Sequence, residues 1–255
     1  MKIVLIGSGN MAWFIGSRLH APYIIEQVYS PTKEHAAALG HELNAPFVCS
    51  EADIAQNADI YILAVKDDVV HQLARTLKRP NALVVHTAGS INLQDIASIS
   101  SHTASIWPMY SIHKNELPVH RQIPLLVQSA QKEDLEFIRP IANMLSDTIY
   151  LLDDEQKKWA HLAAVFANNF TNHIVGISQE LLKQHQIPED LILPILQNTV
   201  DKLKSQSAFQ IQTGPAVRHD NQTIASHRLM LQKFQSWKEI YESLTISIQA
   251  QQKEN

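Results

Sequence analysis

The chain has 255 residues, 45% of them hydrophobic and 18% charged, with a formal net charge of −4, which is enough for one large domain or two smaller ones with cores of their own. With no block of Lys or Arg, that balance argues against a nucleic-acid or anionic-membrane surface, and no run approaches the roughly 18 apolar residues of a membrane span. The single cysteine, Cys49, cannot form an internal disulfide, and the 13 histidines include no His-Glu-x-x-His or close carboxylate-histidine set, so a reducing cytoplasm and no catalytic metal are expected.

Met1-Lys2 leads directly into an apolar run, Lys2 to Ile6, without the apolar core and cleavage site of a secretory signal. The run stops at "GSGNMAWFIGSRL", which reads as strand, turn and helix. Gly7-x-Gly9-x-x-Ala12 fits a dinucleotide-binding turn: the first glycine permits the tight turn, the second lets backbone approach a pyrophosphate, and the small third residue allows close helix packing. A simple structural turn would also use glycine, but three of the seven glycines fall between Gly7 and Gly16. Gly7, Ser8, Gly9, Asn10 and Met11 are therefore the expected pyrophosphate site, at a helix start whose free N–H groups favour anions.

A second strand, Tyr23 to Tyr29, ends at "SPTK" rather than at the acidic residue that would hold a free ribose 2′-hydroxyl. Ser30, Thr32 and Lys33 offer hydroxyls and a cation to a 2′-phosphate, so NADP is expected in preference to NAD. The same residues could also cap the next helix.

Four further apolar runs follow with polar or helical sequence between them: "PFVCS", "ADIYILAV", "NALVVH" and "ASIWPMYSI", with "IPLLVQ" after them. This rhythm predicts an α/β fold with a Rossmann-type doubly wound parallel sheet. Ligands in such sheets lie beyond the carboxyl ends of the strands, which makes Val65, Asp67, His86 and Thr87 candidates for the nicotinamide side. A lone histidine such as His86 can equally be a hydrogen-bonded positioning residue.

From Asp153 the pattern becomes helical, predicting a nucleotide-binding domain over residues 1–152 and an all-α domain over residues 153–255. The first helix, Glu155 to Gln184, carries His161, Asn168 or Asn169, and Asn172 along one stripe. Such a stripe is either a satisfied network between helices or a substrate-holding face. Pro188 and Pro194 mark helix starts or a kink before a helical region ending near Ser205. In "TGPAVRHD", Gly214-Pro215 makes a turn, Asp220 caps a helix through Leu231, and Arg218 is suited to an anionic substrate group or to a salt bridge with Asp220. A final helix is expected over Ser236 to Gln249, with "QAQQKEN" frayed.

"GSGNMA", "HTAGS", "HLAAVFANNFTNH" and "TGPAVRHDNQTIASH" together resemble the family of oxidoreductases that join a Rossmann-like NADP-binding domain to a helical C-terminal domain of unknown function. More distantly the chain is similar to pyrroline-5-carboxylate reductase, 3-hydroxyisobutyrate dehydrogenase and the deazaflavin-dependent NADP oxidoreductases. The resemblance implies a helical domain that forms a homodimer and a reactive cleft beside the nucleotide. It departs from the pattern at Trp107, where His or Tyr is expected before Pro108, and at Lys157 and Lys158, which lack the glycine-containing pattern around the hydroxyacid dehydrogenases' lysine. The expected function is hydride transfer between NADP and a small carbonyl, imine or alcohol, with His161 as proton donor, Asn169 for orientation and Arg218 for an anionic group. The alternative is a nucleotide-binding sensor or partner-binding protein without chemistry.

Overall fold

In a computed structural model, which describes the backbone of residues 1–254 and the side chains of residues 1–251, the strands are apolar on both faces. In β1 (Lys2–Ile6), alternation sends Ile3 and Leu5 to one side of the sheet and Val4 and Ile6 to the other. The first side is covered by α1 (Asn10–Leu19), α2 (Lys33–Glu42) and α4 (Lys132–Leu145), through residues such as Phe14, Leu39 and Ile138. The second is covered by α3 (Asp67–Thr76), through Val70, Leu73 and Ala74. Apolar runs without polar alternation are what a sheet buried between two helical layers demands.

The other strands are β2 (Ile24–Tyr29), β3 (Phe47–Val48), β4 (Ile60–Leu63), β5 (Leu83–His86), β6 (Thr103–Pro108), β7 (Leu125–Ser129) and β8 (Ile149–Leu151). Their spatial order is β3-β2-β1-β4-β5-β6-β7-β8. Pairing is parallel from β3 through β6, so the carboxyl ends of β1, β4, β5 and β6 share one edge. The expected parallel rhythm stops at β7, which runs antiparallel to β6. Edge strand β8 was not anticipated: only Ile149 of its three residues is half-buried, which leaves too little apolar pattern to mark a strand.

The chain divides by internal contacts into two units, Met1–Asn169 and Phe170 onward. Helix starts at residue 154, where the sequence pattern changes, while the first unit continues to Asn169. That stretch is α5 (Asp154–Ala164), capped by the Asp153 carboxylate on the Gln156 N–H, followed by a π-helical segment, Val165–Phe170.

The second unit is helical: α6 (Thr171–Gln184), α7 (Leu193–Leu203), α8 (Asn221–Met230) and α9 (Gln235–Glu254). Pro194 lies in the first turn of α7, where its missing N–H costs nothing. Asp220 caps α8 by accepting from the Thr223 N–H at 3.0 Å. The last helix outruns its expected end at Gln249 and continues to Glu254, so the expected fraying over "QAQQKEN" is not seen up to Glu254; Asn255 lies outside the described residues.

Candidate active site

The turn after β1 has the backbone its glycines imply. Gly7 has φ +120°, and a Cβ there would overlap the Ala64 carbonyl oxygen, so no side chain fits between β1 and β4. Gly9 is the N-cap of α1 and is different: a Cβ built on it would meet nothing within 4 Å, and no side chain caps the helix. The open space over Gly9 and the uncapped first turn leave backbone donors that fit a pyrophosphate. Ser8 Oγ donates to Ser30 Oγ at 2.8 Å, tying the turn to the end of β2. Asn10 Oδ1 accepts from the Lys114 N–H at 3.1 Å, and Met11 packs toward the core. Thr32 is the N-cap of α2 without a side-chain cap bond, and Lys33 is exposed on its first turn. Both side chains are available to a 2′-phosphate.

At the ends of β4 and β5, Val65 lies against Gly7, Asp67 opens α3 with its carboxylate accepting from Ser90 Oγ, and Thr87 Oγ1 donates to the Leu63 carbonyl at 3.3 Å. His86 is fully buried. Its Nδ1 accepts from the Ala88 N–H at 3.3 Å, and its Nε2 has no partner among the described residues. Burial, helped by the nearby Lys157 ammonium, pushes the His86 pKa down to about 3, so the ring is neutral at physiological pH.

Lys157 is the residue the sequence left without a role, and it is 1% exposed. Its Nζ donates to the Ile91 carbonyl and lies 3.5 Å from Asp154 Oδ1. Burial lowers its pKa, with Asp154 opposing the shift. The lysine thus fastens α5 to the loop that follows β5.

Four residues, one turn, farther along α5, His161 reaches a cavity of about 590 Å³. The walls are Trp107 to Ser111 from the end of β6 and its loop, with His161, Ala164, Val165, Ala167, Asn168 and Asn169 from the helix. His161 meets Trp107 edge to face at 5.4 Å between ring centres. A Cβ on Gly89 would fall 2.7 Å from His161 Cδ2 and 2.8 Å from Trp107 Cε2, so only glycine allows the post-β5 loop to back this wall. Asn168 and Asn169 both lie in the π-helical segment and both line the cavity.

The structure therefore brings His161 and Asn169 into one cavity, next to the loop that begins with His86 and Thr87. Trp107, Tyr110 and Ser111 also line it, although sequence reasoning had not assigned them to the site. The signal was the departure at "IWPMYSI", where an aromatic pair brackets a proline at a strand's carboxyl end. Arg218 lies in the second unit, exposed, and no ion pair joins it to Asp220 among the described residues. The Asp220 carboxylate is taken up by the Thr223 N–H and hydroxyl, which hold its pKa low. No cluster of metal-ligating side chains occurs among the described residues, and no described helix is long and apolar enough to cross a membrane.

Residues 2–89 match the family described as NADP oxidoreductase, coenzyme F420-dependent, and residues 123–248 match a domain of unknown function, DUF2520. The crystal structure of a "putative NADP oxidoreductase", BF3122 from Bacteroides fragilis, is 36% identical, with 98% of each chain covered and a TM-score of 0.91. This chain belongs to that NADP oxidoreductase family. Protein TM1727 from Thermotoga maritima, at 21% identity over 99% of this chain and 98% of its own, shares the fold with a TM-score of 0.73. So does an imine reductase from Myxococcus stipitatus in complex with NADP+, at 15% identity over 98% of this chain and 92% of its own, with a TM-score of 0.68. No curated protein matches the chain. The family's cofactor, NADP, is the one expected from "SPTK", and its pyrophosphate fits the open space over Gly9.

Proposed function

We propose that the protein is an NADPH-dependent reductase of a small carbonyl or imine, running in reverse on the matching alcohol or amine. NADPH, when bound, supplies the hydride. The observation that carries the reading is the cavity beside Gly89 at the carboxyl end of β6, walled by Trp107, His161 and Asn169. Trp107 excludes water and gives a flat apolar surface, which strengthens every polar contact made inside. His161 has no hydrogen-bond partner among the described residues, so its ring nitrogens are free to hydrogen-bond the reacting nitrogen or oxygen; Asn168 and Asn169 orient the rest of the substrate. Ser8, Ser30, Thr32 and Lys33 hold the adenosine side, and Asp67, His86 and Thr87 shape the loops flanking the nicotinamide. Arg218 is proposed for an anionic substrate group.

Calorimetric titration is expected to show NADPH binding at least about tenfold tighter than NADH, since Lys33 and the hydroxyls have a 2′-phosphate to pair with. Equal affinities would contradict the cofactor assignment. Replacing His161 by Ala should lower the rate of hydride transfer by about 100-fold with little effect on NADPH affinity. A variant with every measurable property unchanged would favour a non-catalytic NADP-binding sensor.

We also infer that the helical domain, residues 153–255, mediates a homodimer. In the second unit the described buried apolar residues are only Ala216, Ile224 and Leu231, while Leu191, Ile195, Phe209 and Met230 are each more than 60% exposed. A helical unit with so small a core of its own needs another surface to cover its apolar faces. Sedimentation equilibrium should give twice the monomer mass, and Ile195→Glu should shift the equilibrium toward monomer; a monomer at micromolar concentration would refute the assignment.

A further inference from the structure

The loop between β6 and β7 carries two residues that the reading above does not use. Tyr110 lines the cavity, and its hydroxyl lies 3.3 Å from Nε2 of His120, with the rings edge to face at 5.7 Å. Both residues are exposed, Tyr110 at 46%, so the pair stands where the cavity wall meets bulk water. The loop that holds them is tied down along its length. Arg18 of α1 donates to the carbonyls of Pro118 and His120 at 2.6 and 2.9 Å, and its guanidinium lies over the Phe14 ring. The Lys114 N–H donates to Asn10 at 3.1 Å, and the Met109 N–H donates to the Pro124 carbonyl at 2.8 Å. Both anchors of the long span, Asn10 and Arg18, lie on the helix that begins at the phosphate turn.

Reduction of a C=N or C=O bond requires a proton as well as a hydride. Of the side chains that line the cavity, only His161 and Tyr110 carry a group acidic enough to give one up, since carboxamides, Ser111 and the indole do not. Of the two, only Tyr110 has a side-chain hydrogen-bond partner among the described residues, His120. We propose that Tyr110 is the proton donor of the reaction and that His120 is the positioning residue that supports it, an assignment that rests on the reductase reading above. Hydride adds to the substrate carbon, the C=N or C=O π pair moves to the heteroatom, and the Tyr110 O–H bond breaks as the new N–H or O–H bond forms. The Nε2–H of His120 donates to the phenolate oxygen while it bears the charge, and water returns the proton. His161 keeps its hydrogen bond to the heteroatom.

The test follows NADPH oxidation by the full-length protein with dihydroisoquinoline, an uncharged cyclic imine, and with cyclohexanone. Tyr110→Phe is expected to lower kcat by about 100-fold or more with KM nearly unchanged. His120→Ala should cost about tenfold in kcat, and His120→Gln, which retains an N–H donor at the same reach, should restore it. Independently of turnover, nitrogen NMR of the imidazoles should show the His120 resonances displaced in Tyr110→Phe and undisturbed in His161→Ala. A Tyr110→Phe rate within twofold of wild type, or His120 resonances that ignore the substitution, overturns the assignment while leaving the reductase reading in place. If wild type reduces neither probe, the reductase reading for these substrates fails and the assignment fails with it.

Discussion

Gly9→Ala is expected to raise the dissociation constant for NADPH by at least tenfold, a loss of about 1.4 kcal/mol or more, while leaving the melting temperature unchanged. Gly7→Ala is expected to do the reverse, costing on the order of 3 kcal/mol of stability or more before any cofactor is added. The two glycines stand two residues apart in the same turn and answer to different constraints. At Gly7 the backbone has φ +120° and a Cβ would overlap the Ala64 carbonyl, so the methyl group strains the chain and forces β1 from β4. At Gly9 φ is −80°, ordinary for any residue, and nothing within 4 Å would meet the added carbon. Its cost appears only when a phosphate must come against the backbone. Thermal unfolding with and without NADPH separates the cases. If Gly9→Ala binds NADPH as wild type does, the cofactor does not cross the turn at this point.

His86 should make the protein acid-labile over a defined window. In the unfolded chain its imidazole titrates near 6.5, and in the fold burial holds it near 3. Between those values the unfolded state binds the extra proton, so stability falls as pH falls, by about 1.4 kcal/mol for each pH unit. Above 6.5 both states are neutral and His86 contributes no pH dependence. The cause is desolvation first and the Lys157 ammonium second: an imidazolium at His86 would be buried and would face another positive charge. Because carboxylates titrate in the same range, the measurement is a difference. His86→Asn retains an acceptor for the Ala88 N–H but does not ionise, so its stability curve should be flatter below pH 6.5. Parallel denaturation curves for the two proteins would show that the folded state accommodates the imidazolium.

What could be read from the sequence divides along physical lines. The glycine turn was legible because its constraint is local: φ at Gly7 and the open cap at Gly9 depend on a few neighbouring atoms. The buried strands were legible because two-sided burial leaves an unbroken apolar run, as in Lys2–Ile6. His161 and Asn169 are legible through helical spacing, although the π-helical segment that carries Asn169 leaves no mark in composition. Lys157 was illegible because a lysine at a helix start reads as solvated, and its burial is made tolerable by the Ile91 carbonyl, Asp154 and the nearby Asp95. Tyr110 and His120 are ten residues apart in a loop without periodicity, and their meeting depends on Arg18, about one hundred residues earlier, gripping the chain between them.

The same contacts leave little room for change at the back wall of the cavity. Gly89, Trp107 and His161 meet with no room for a methyl group, and Lys157 holds α5 against the loop that supplies Gly89. The cavity is therefore built from a strand end, a loop and a helix whose mutual positions are fixed within one unit, the kind of rigid support that reacting groups require.

Single-turnover stopped-flow measurement of nicotinamide absorbance decides whether this protein passes hydride from NADPH to a small unsaturated substrate. NADPH bound to the protein is mixed with cyclic imines, ketones and deazaflavins in turn. At least one cyclic imine or ketone is expected to oxidise the bound NADPH in a single exponential that slows about 100-fold in His161→Ala. NADPH that binds tightly and remains reduced in the presence of every member of the panel would contradict it.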